Sequence, residues 1–322
     1  MYHKIYQYKN LYEAYKKSRR NVTKKKAVLK FEYKLEENLI DLQKKLKNQS
    51  YKQGEYREFT LFEPKERLVK SLPFKDRVVQ QAVYKIIEPV FEKSFIKNSY
   101  ACRKNKGTHK ALKELHKAIK NQGFKNHALK ADIKKYFHSI DHELLINILR
   151  QKIKCKKTLR LLIQIIKSHH SFVGKNKGIP IGNLLSQIFA NIYLTKLDQF
   201  ITRQLQIKNY FRYMDDFIIL GNKKELHITK SKIKKYLKTI KLELHLKKQT
   251  IIKQNYVDFV GYQITPNQIK IRRKNLNTFI RKLSKLQEGK KRKQLMASWK
   301  GYTKPANTYN LNKKLNLISY IA

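Results

Sequence analysis

Tyr213-Met214-Asp215-Asp216 is the stretch that decides the fold of this chain. It sets two adjacent carboxylates between the run Ile207-Lys208-Asn209-Tyr210-Phe211-Arg212 and the apolar run Phe217-Ile218-Ile219-Leu220. Two such runs around so short a polar break predict a β-hairpin with the acids at its tip. Asp is at home in ordinary turns, where its side chain bonds nearby backbone. Two carboxylates held side by side repel each other, however, and a divalent cation between them removes the repulsion.

Composition sharpens the point. The chain has 322 residues, enough for one large domain or two or three subdomains with cores of their own. Hydrophobic residues make up 41%, which excludes a disordered tail. Lys and Arg number 74 against 23 Asp and Glu, a net charge of +51. A body so charged repels itself, and a polyanion relieves that repulsion while releasing counterions, so nucleic acid is the expected partner. Carboxylates are scarce, and others such as Glu36, Glu37 and Asp41 lie among lysines in helical spacing, as solvated charge pairs do. No apolar run approaches the length needed to cross a bilayer, so no membrane partner is expected. The start, Met1-Tyr2-His3-Lys4, lacks a signal-peptide core. Cys102 and Cys155 provide neither a disulfide framework nor a zinc site, and an intracellular, cytoplasmic location is expected.

Along the chain, Tyr2, Tyr6, Tyr8, Tyr12 and Tyr15 precede Lys16, Lys17, Arg19 and Arg20, a mixture that suits bases and phosphates as well as a half-buried helix. Val28, Phe31, Leu35, Leu39, Leu42 and Leu46 predict one amphipathic helix. Residues 51–75 read as strands and loop, and a helix is expected from Asp76 to about Pro89. Residues 128–133 read as a strand, Asp141-His142-Glu143 as a helix start, Leu184 to Leu205 and Lys223 to Ile240 as helices, Leu242 to Ile252 as a strand, and Val257 to Ile264 as a hairpin. From Pro266 onward fifteen Lys and Arg face Glu288 alone, with Leu276, Phe279, Ile280, Leu283 and Leu286 at helical spacing. The fold class this implies is α+β, with an antiparallel or mixed sheet.

Asp132 closes the 128–133 strand, 83 residues before Asp215. If that strand lies beside the hairpin, three carboxylates meet. That is the minimum for holding two Mg²⁺ ions about 3.5–4 Å apart for in-line phosphoryl transfer.

Taken in order, these stretches resemble reverse transcriptases over about residues 60–265. Arg77-Val78-Val79-Gln80-Gln81-Ala82, then Asn98-Ser99-Tyr100-Ala101-Cys102-Arg103 with Gly107-Thr108, are similar to the family's early blocks. The run Asp132-Ile133-Lys134-Lys135-Tyr136-Phe137-His138-Ser139-Ile140-Asp141-His142 is similar to the first catalytic block, and Tyr213-Met214-Asp215-Asp216 to the second. The resemblance implies a right-hand polymerase fold: an N-terminal basic helical extension over 1–50, fingers over 51–127, palm over 128–265 with an insertion near 142–180, and a helical thumb over 266–322. It also implies roles. Asp132, Asp215 and Asp216 would be the catalytic acids and, with the Ile133 carbonyl, the ligands of two Mg²⁺ ions. Lys65, Arg67, Phe137, Ile181, Gly182, Gln187 and Lys248 would surround the incoming dNTP, with Phe137 as the gate against a 2′-hydroxyl and Lys247 as a rival to Lys248. Phe259, Val260, Gly261 and Tyr262 would grip the primer.

One departure narrows the resemblance. Most reverse transcriptases carry Gln-Gly followed by Ser-Pro, whereas this chain reads Ile181-Gly182-Asn183-Leu184-Leu185-Ser186-Gln187. That variant is similar to the enzymes of diversity-generating retroelements, which copy a template RNA with errors opposite adenine and feed the cDNA into a variable gene (mutagenic retrohoming). Gln hydrogen-bonds near the nascent base pair and Ile cannot, so discrimination falls. The resemblance implies a structured template RNA, an RNA–DNA duplex and a small, basic, oligomeric accessory protein as partners. No appended nuclease domain is expected. The alternatives are a retron or group II intron type enzyme and a non-catalytic RNA-binding scaffold.

Overall fold

The computed structural model describes residues 1–62, 66–122, 127–168, 174, 176–287 and 289–314. Its contacts gather into two units, each assembled from three stretches of chain. One comprises Met1–Lys97, Lys134–Phe200 and Tyr236–Glu243; the other comprises Asn98–Ile133, Ile201–Lys235 and Leu244–Ala322.

The first unit is built around the helix Leu184–Gln199. Leu185, Ile188, Phe189, Ile192, Tyr193, Leu194 and Leu197 point in several directions around its axis, and all are buried. A helix apolar on every side must lie inside a body rather than on it. It packs against Phe74–Glu92 and His142–Lys152. His142–Lys152 starts where the sequence predicts, with Asp141 capping it: Oδ1 accepts the Leu144 amide at 3.0 Å. Two expectations fail here. The helix foreseen over Val28–Leu46 is two helices, Lys26–Tyr33 and Leu35–Lys47, broken at Lys34 (φ −125°, ψ 51°). Asn38 Nδ2 donates to the Phe31 carbonyl at 3.0 Å, satisfying an acceptor the break leaves open. Pro89 does not end its helix but sits in the last turn of Phe74–Glu92, three residues before its end. Strands β1 (Arg57–Leu61) and β2 (Arg67–Ser71) form an antiparallel pair with Phe59 opposite Val69.

The second unit carries the main sheet. Strands β3 (His127–Asp132), β4 (Tyr210–Tyr213), β5 (Asp216–Gly221) and β6 (Thr250–Lys253) lie in the order β4-β5-β3-β6, every pair antiparallel. The strand expected over Leu242–Ile252 is therefore shorter: Leu244 makes only an isolated bridge to Ile133, and a 3₁₀ turn at Leu246–Lys248 interrupts the run before β6. A smaller sheet holds β7 (Val257–Phe259), β8 (Tyr262–Ile264) and β9 (Ile269–Ile271). Ala128, Phe211, Ile218 and Leu220 of the main sheet share one core with Val257, Phe259, Tyr262 and Ile264 of the smaller one. Leu112, Leu115 and Ile119 of the helix Thr108–Gln122 complete that core. The basic tail forms helices Arg273–Ser284 and Lys290–Thr303, joined by Phe279 stacked on Trp299 at 3.8 Å. Among the described residues no helix is long and apolar enough to cross a membrane.

Candidate active site

The hairpin tip is a two-residue loop, because Tyr213 pairs directly with Asp216. Met214 has φ +56°, the positive value that primed hairpin turns require at their first loop residue. A buried arginine supports it: Arg212 Nη1 donates to the Met214 carbonyl at 3.0 Å. The Arg212 backbone is clasped as well, its amide donating to Asn98 O at 2.9 Å and its carbonyl accepting the Tyr100 amide at 3.0 Å.

Strand β3 runs antiparallel to β5, and the register sets Asp132 directly opposite Asp216. Beyond that pair the Ile133 amide donates to the Asp215 carbonyl at 3.2 Å, and the His245 amide donates to the Asp132 carbonyl at 2.8 Å. The end of β3 is thus fixed on both sides, and Asp132, Ile133, Asp215 and Asp216 are brought together at one end of the two central strands. Like charges directly opposite on neighbouring strands are destabilising, so the local electrostatics must compensate. Asp132 is compensated directly, with its Oδ2 2.8 Å from Lys248 Nζ. Lys247, which spacing alone leaves as an equal candidate, makes no such contact.

Asp216 is compensated less well. Its Oδ1 is buried without a hydrogen-bond partner. Burial pushes its carboxyl up to about 7, with the Asp132 and Asp215 charges adding to the rise and Lys130 and Arg272 opposing it. Lys130 lies two residues before Asp132 on β3, a spacing that puts both on one face of the strand, so period-two reading alone could have found it. Arg272 carries no comparable signal in the sequence. The side chains are not gathered into a ready metal cluster: no group of three His, Cys, Asp or Glu stands so among the described residues, and Asp132 turns to Lys248 instead. The donors are nonetheless hard carboxylate oxygens, one of them desolvated and unpaired, and that set suits Mg²⁺.

Of the other candidates, those around the expected dNTP pocket lie in the first unit. Phe137 is half-buried in the short helix Tyr136–Ser139, edge-on to Tyr136, and its carbonyl accepts the Ile179 amide at 2.8 Å. Ile181 is half-buried, with its carbonyl accepting the Lys70 amide of β2 at 3.1 Å. Gly182 follows at φ +108°, and a Cβ there would stand 2.8 Å from Val69 Cγ1. Glycine is thus required for both conformation and space. Arg67 opens the same strand and is exposed, and Gln187 is half-buried on Leu184–Gln199. Lys65 lies outside the described residues. Phe259 and Tyr262 pair across the turn Val260-Gly261 and are buried in the core of the second unit.

The chain is similar to several known proteins. The chain is 32% identical over 174 residues to the group II intron-encoded protein LtrA of Lactococcus lactis, an overlap of 53% of this chain and 28% of that protein. It is 24% identical over 232 residues to the protein YkfC of Escherichia coli, covering 59% of this chain and 61% of the other. The chain thus spans under a third of the length of LtrA and about three fifths of that of YkfC. Among solved structures, apo telomerase from Candida tropicalis superposes with a TM-score of 0.53 at 14% identity, over 68% of this chain and 49% of that one. At that identity the likeness concerns the fold: a mixed polymerase fold with antiparallel sheets. Residues 43–264 match the family described as reverse transcriptase (RNA-dependent DNA polymerase), a span that contains the opposed aspartates, the hairpin tip and the glycine turn on β2. By that match the chain belongs to the reverse transcriptase family.

Proposed function

We propose that this chain is an RNA-directed DNA polymerase that extends a primer 3′-hydroxyl with dNTPs along an RNA template. The observation that carries the reading is the register of Asp132 against Asp216, beside the turn bearing Asp215. Asp132, Asp215 and Asp216, with the Ile133 carbonyl, would hold Mg²⁺, which supplies charge neutralisation and a more acidic attacking hydroxyl. The chain's own residues do the rest. Lys248, now on Asp132, offers a mobile ammonium to the triphosphate and the departing pyrophosphate. Arg67 and Lys65 contribute further cations. Phe137 sets bulk against a ribose 2′-hydroxyl. Residues 259–262 hold the primer end, and the helices from 273 onward, rich in Lys and Arg, grip the duplex through its phosphates. In the hand description, β1 and β2 belong to the fingers, the main sheet to the palm and the terminal helices to the thumb.

We further infer the error-prone type of the diversity-generating retroelements, with a structured template RNA and a small basic accessory protein as partners. Ile181 with Gln187 supports this, since an isoleucine can offer no polar contact to a nascent base pair. The likeness to LtrA favours the second reading, a group II intron type enzyme. Primer extension on a defined RNA, with the products sequenced, separates them. Asp215→Ala should abolish synthesis while leaving RNA binding largely intact; synthesis that survives refutes the site. Wild type should misincorporate opposite template adenine and Ile181→Gln should do so less. Faithful copying by the wild type would favour the intron type.

A further inference from the structure

The turn Val260-Gly261 has positive φ at both residues, +41° and +96°. Such two-residue loops favour Asn-Gly, and a β-branched residue in the left-handed region is a genuine outlier. Val260 therefore does not choose this conformation; something holds it there. What holds it is the Gly261 carbonyl, which accepts three donors: the Arg272 amide at 3.3 Å, Asn275 Nδ2 at 3.1 Å and Tyr302 Oη at 3.0 Å. Asn275 Nδ2 also donates to Tyr302 Oη at 2.7 Å, closing a triangle on that one oxygen. A Cβ at position 261 would stand 2.9 Å from Tyr302 Oη and 3.0 Å from Asn275 Nδ2, so glycine is what lets the clamp close.

The clamp reaches further. Asn275 belongs to the helix Arg273–Ser284 and Tyr302 to the helix Lys290–Thr303, so both long cationic helices of the tail end on the same turn. Tyr302 also stacks on Tyr262 at 4.8 Å, and its carbonyl accepts the Tyr262 hydroxyl at 2.6 Å. Arg272 secures the neighbouring strand, with its Nε 3.1 Å from Asp258 Oδ1. The same turn packs, through Val260, on the core against which Tyr213 of the candidate catalytic hairpin also packs.

We propose that Asn275 and Tyr302 are positioning residues for nucleotide addition: they lock the Val260-Gly261 turn to the two cationic helices, so that a duplex held by those helices presents its primer end in one fixed place. The proposal rests on the polymerase reading above. It makes the two side chains matter for the rate of addition on bound duplex more than for binding the duplex.

The test is single-turnover addition of the next dNTP to a defined RNA template–DNA primer, with the duplex Kd measured in parallel. Tyr302→Phe keeps the ring stack and loses the hydroxyl. Asn275→Asp keeps the shape and turns an oxygen on two acceptors. Each should slow addition at saturating duplex by about 3- to 10-fold, the range a lost hydrogen bond commands, with the duplex Kd within about 2-fold. The double variant should be no slower than the slower single, because both act on one carbonyl. Variants that add nucleotide as fast as wild type, lower only the melting temperature, or weaken duplex binding without slowing addition would overturn the proposal. A wild type that adds no nucleotide would refute the polymerase reading, and this proposal with it.

Discussion

Asp216→Asn should make the protein more stable, and the gain should depend on pH. The Asp216 carboxyl is pushed up to about 7 from an ordinary value near 3.8. Because the folded value lies above the unfolded one, the folded state binds the proton more tightly, and ionised Asp216 destabilises the fold. That penalty is absent below about pH 4, grows between the two values, and is constant above about pH 7. A difference of about three in pKa corresponds to about 4 kcal/mol at the plateau. Asn carries no such penalty, although its own amide must be desolvated, so the expected gain is about 2–4 kcal/mol at pH 8 and close to zero at pH 4. Urea unfolding in EDTA across that range measures it. Added Mg²⁺ should stabilise the wild type, by about 2.7 kcal/mol at a hundredfold excess over Kd, and leave the variant unmoved. An Asn variant no more stable than wild type at pH 8, or a gain that does not shrink toward pH 4, would refute the account of Asp216 as a desolvated acid held against its own preference.

Gly182→Ala should cost more than the usual fraction of a kcal/mol, about 1–3 kcal/mol, from its φ of +108° and the 2.8 Å approach to Val69 Cγ1. Adding Val69→Ala should recover the contact part of the loss but not the backbone part, as a double-mutant cycle in urea would resolve. Asp141 is opposite in sign to Asp216. Burial raises its carboxyl, but the Lys241 ion pair and the Leu144 amide outweigh burial and hold it below the ordinary range. Its stabilisation is present above the unfolded value and lost as pH falls through the folded one, so Asp141→Asn should cost about 1–2 kcal/mol at pH 7 and little once pH has fallen below the folded value.

The sheet was legible because its signal is local. On β3 Leu129 and Ala131 share one face while Lys130 and Asp132 share the other, the run Phe217-Ile218-Ile219-Leu220 on β5 is apolar on both faces, and the acids mark where the two strands end. The misses share a cause. Lys34 sits inside an unbroken apolar period, and nothing in that period reports a backbone kink stabilised by Asn38 reaching back to Phe31. Pro89 reads as a stop, but the helix runs three residues past it and ends at Glu92. Leu242 to Ile252 keeps a strand-like composition, but the chain has to turn through Leu246–Lys248 before it can pair again on β3.

The site divides along the same line. Which residue types could do the chemistry was readable; which atoms they satisfy was not. Lys247 and Lys248 are indistinguishable in one dimension, and only the path of the 3₁₀ turn gives the second of them to Asp132. Lys248, Lys130 and Arg272 show how a chain of net charge +51 keeps acids of its own. Asp132 and Asp216 already lie in a field of fixed cations, Lys248 in contact with the first and Lys130 and Arg272 at longer range from the second. On the proposed reading, a divalent ion binding Asp132 would compete with the Lys248 ammonium, which would then be available to a triphosphate's charge. On the proposed reading, the excess of cations that would draw a nucleic acid to the surface would have a second use at the site, holding Asp132 through Lys248 until a divalent ion took its place.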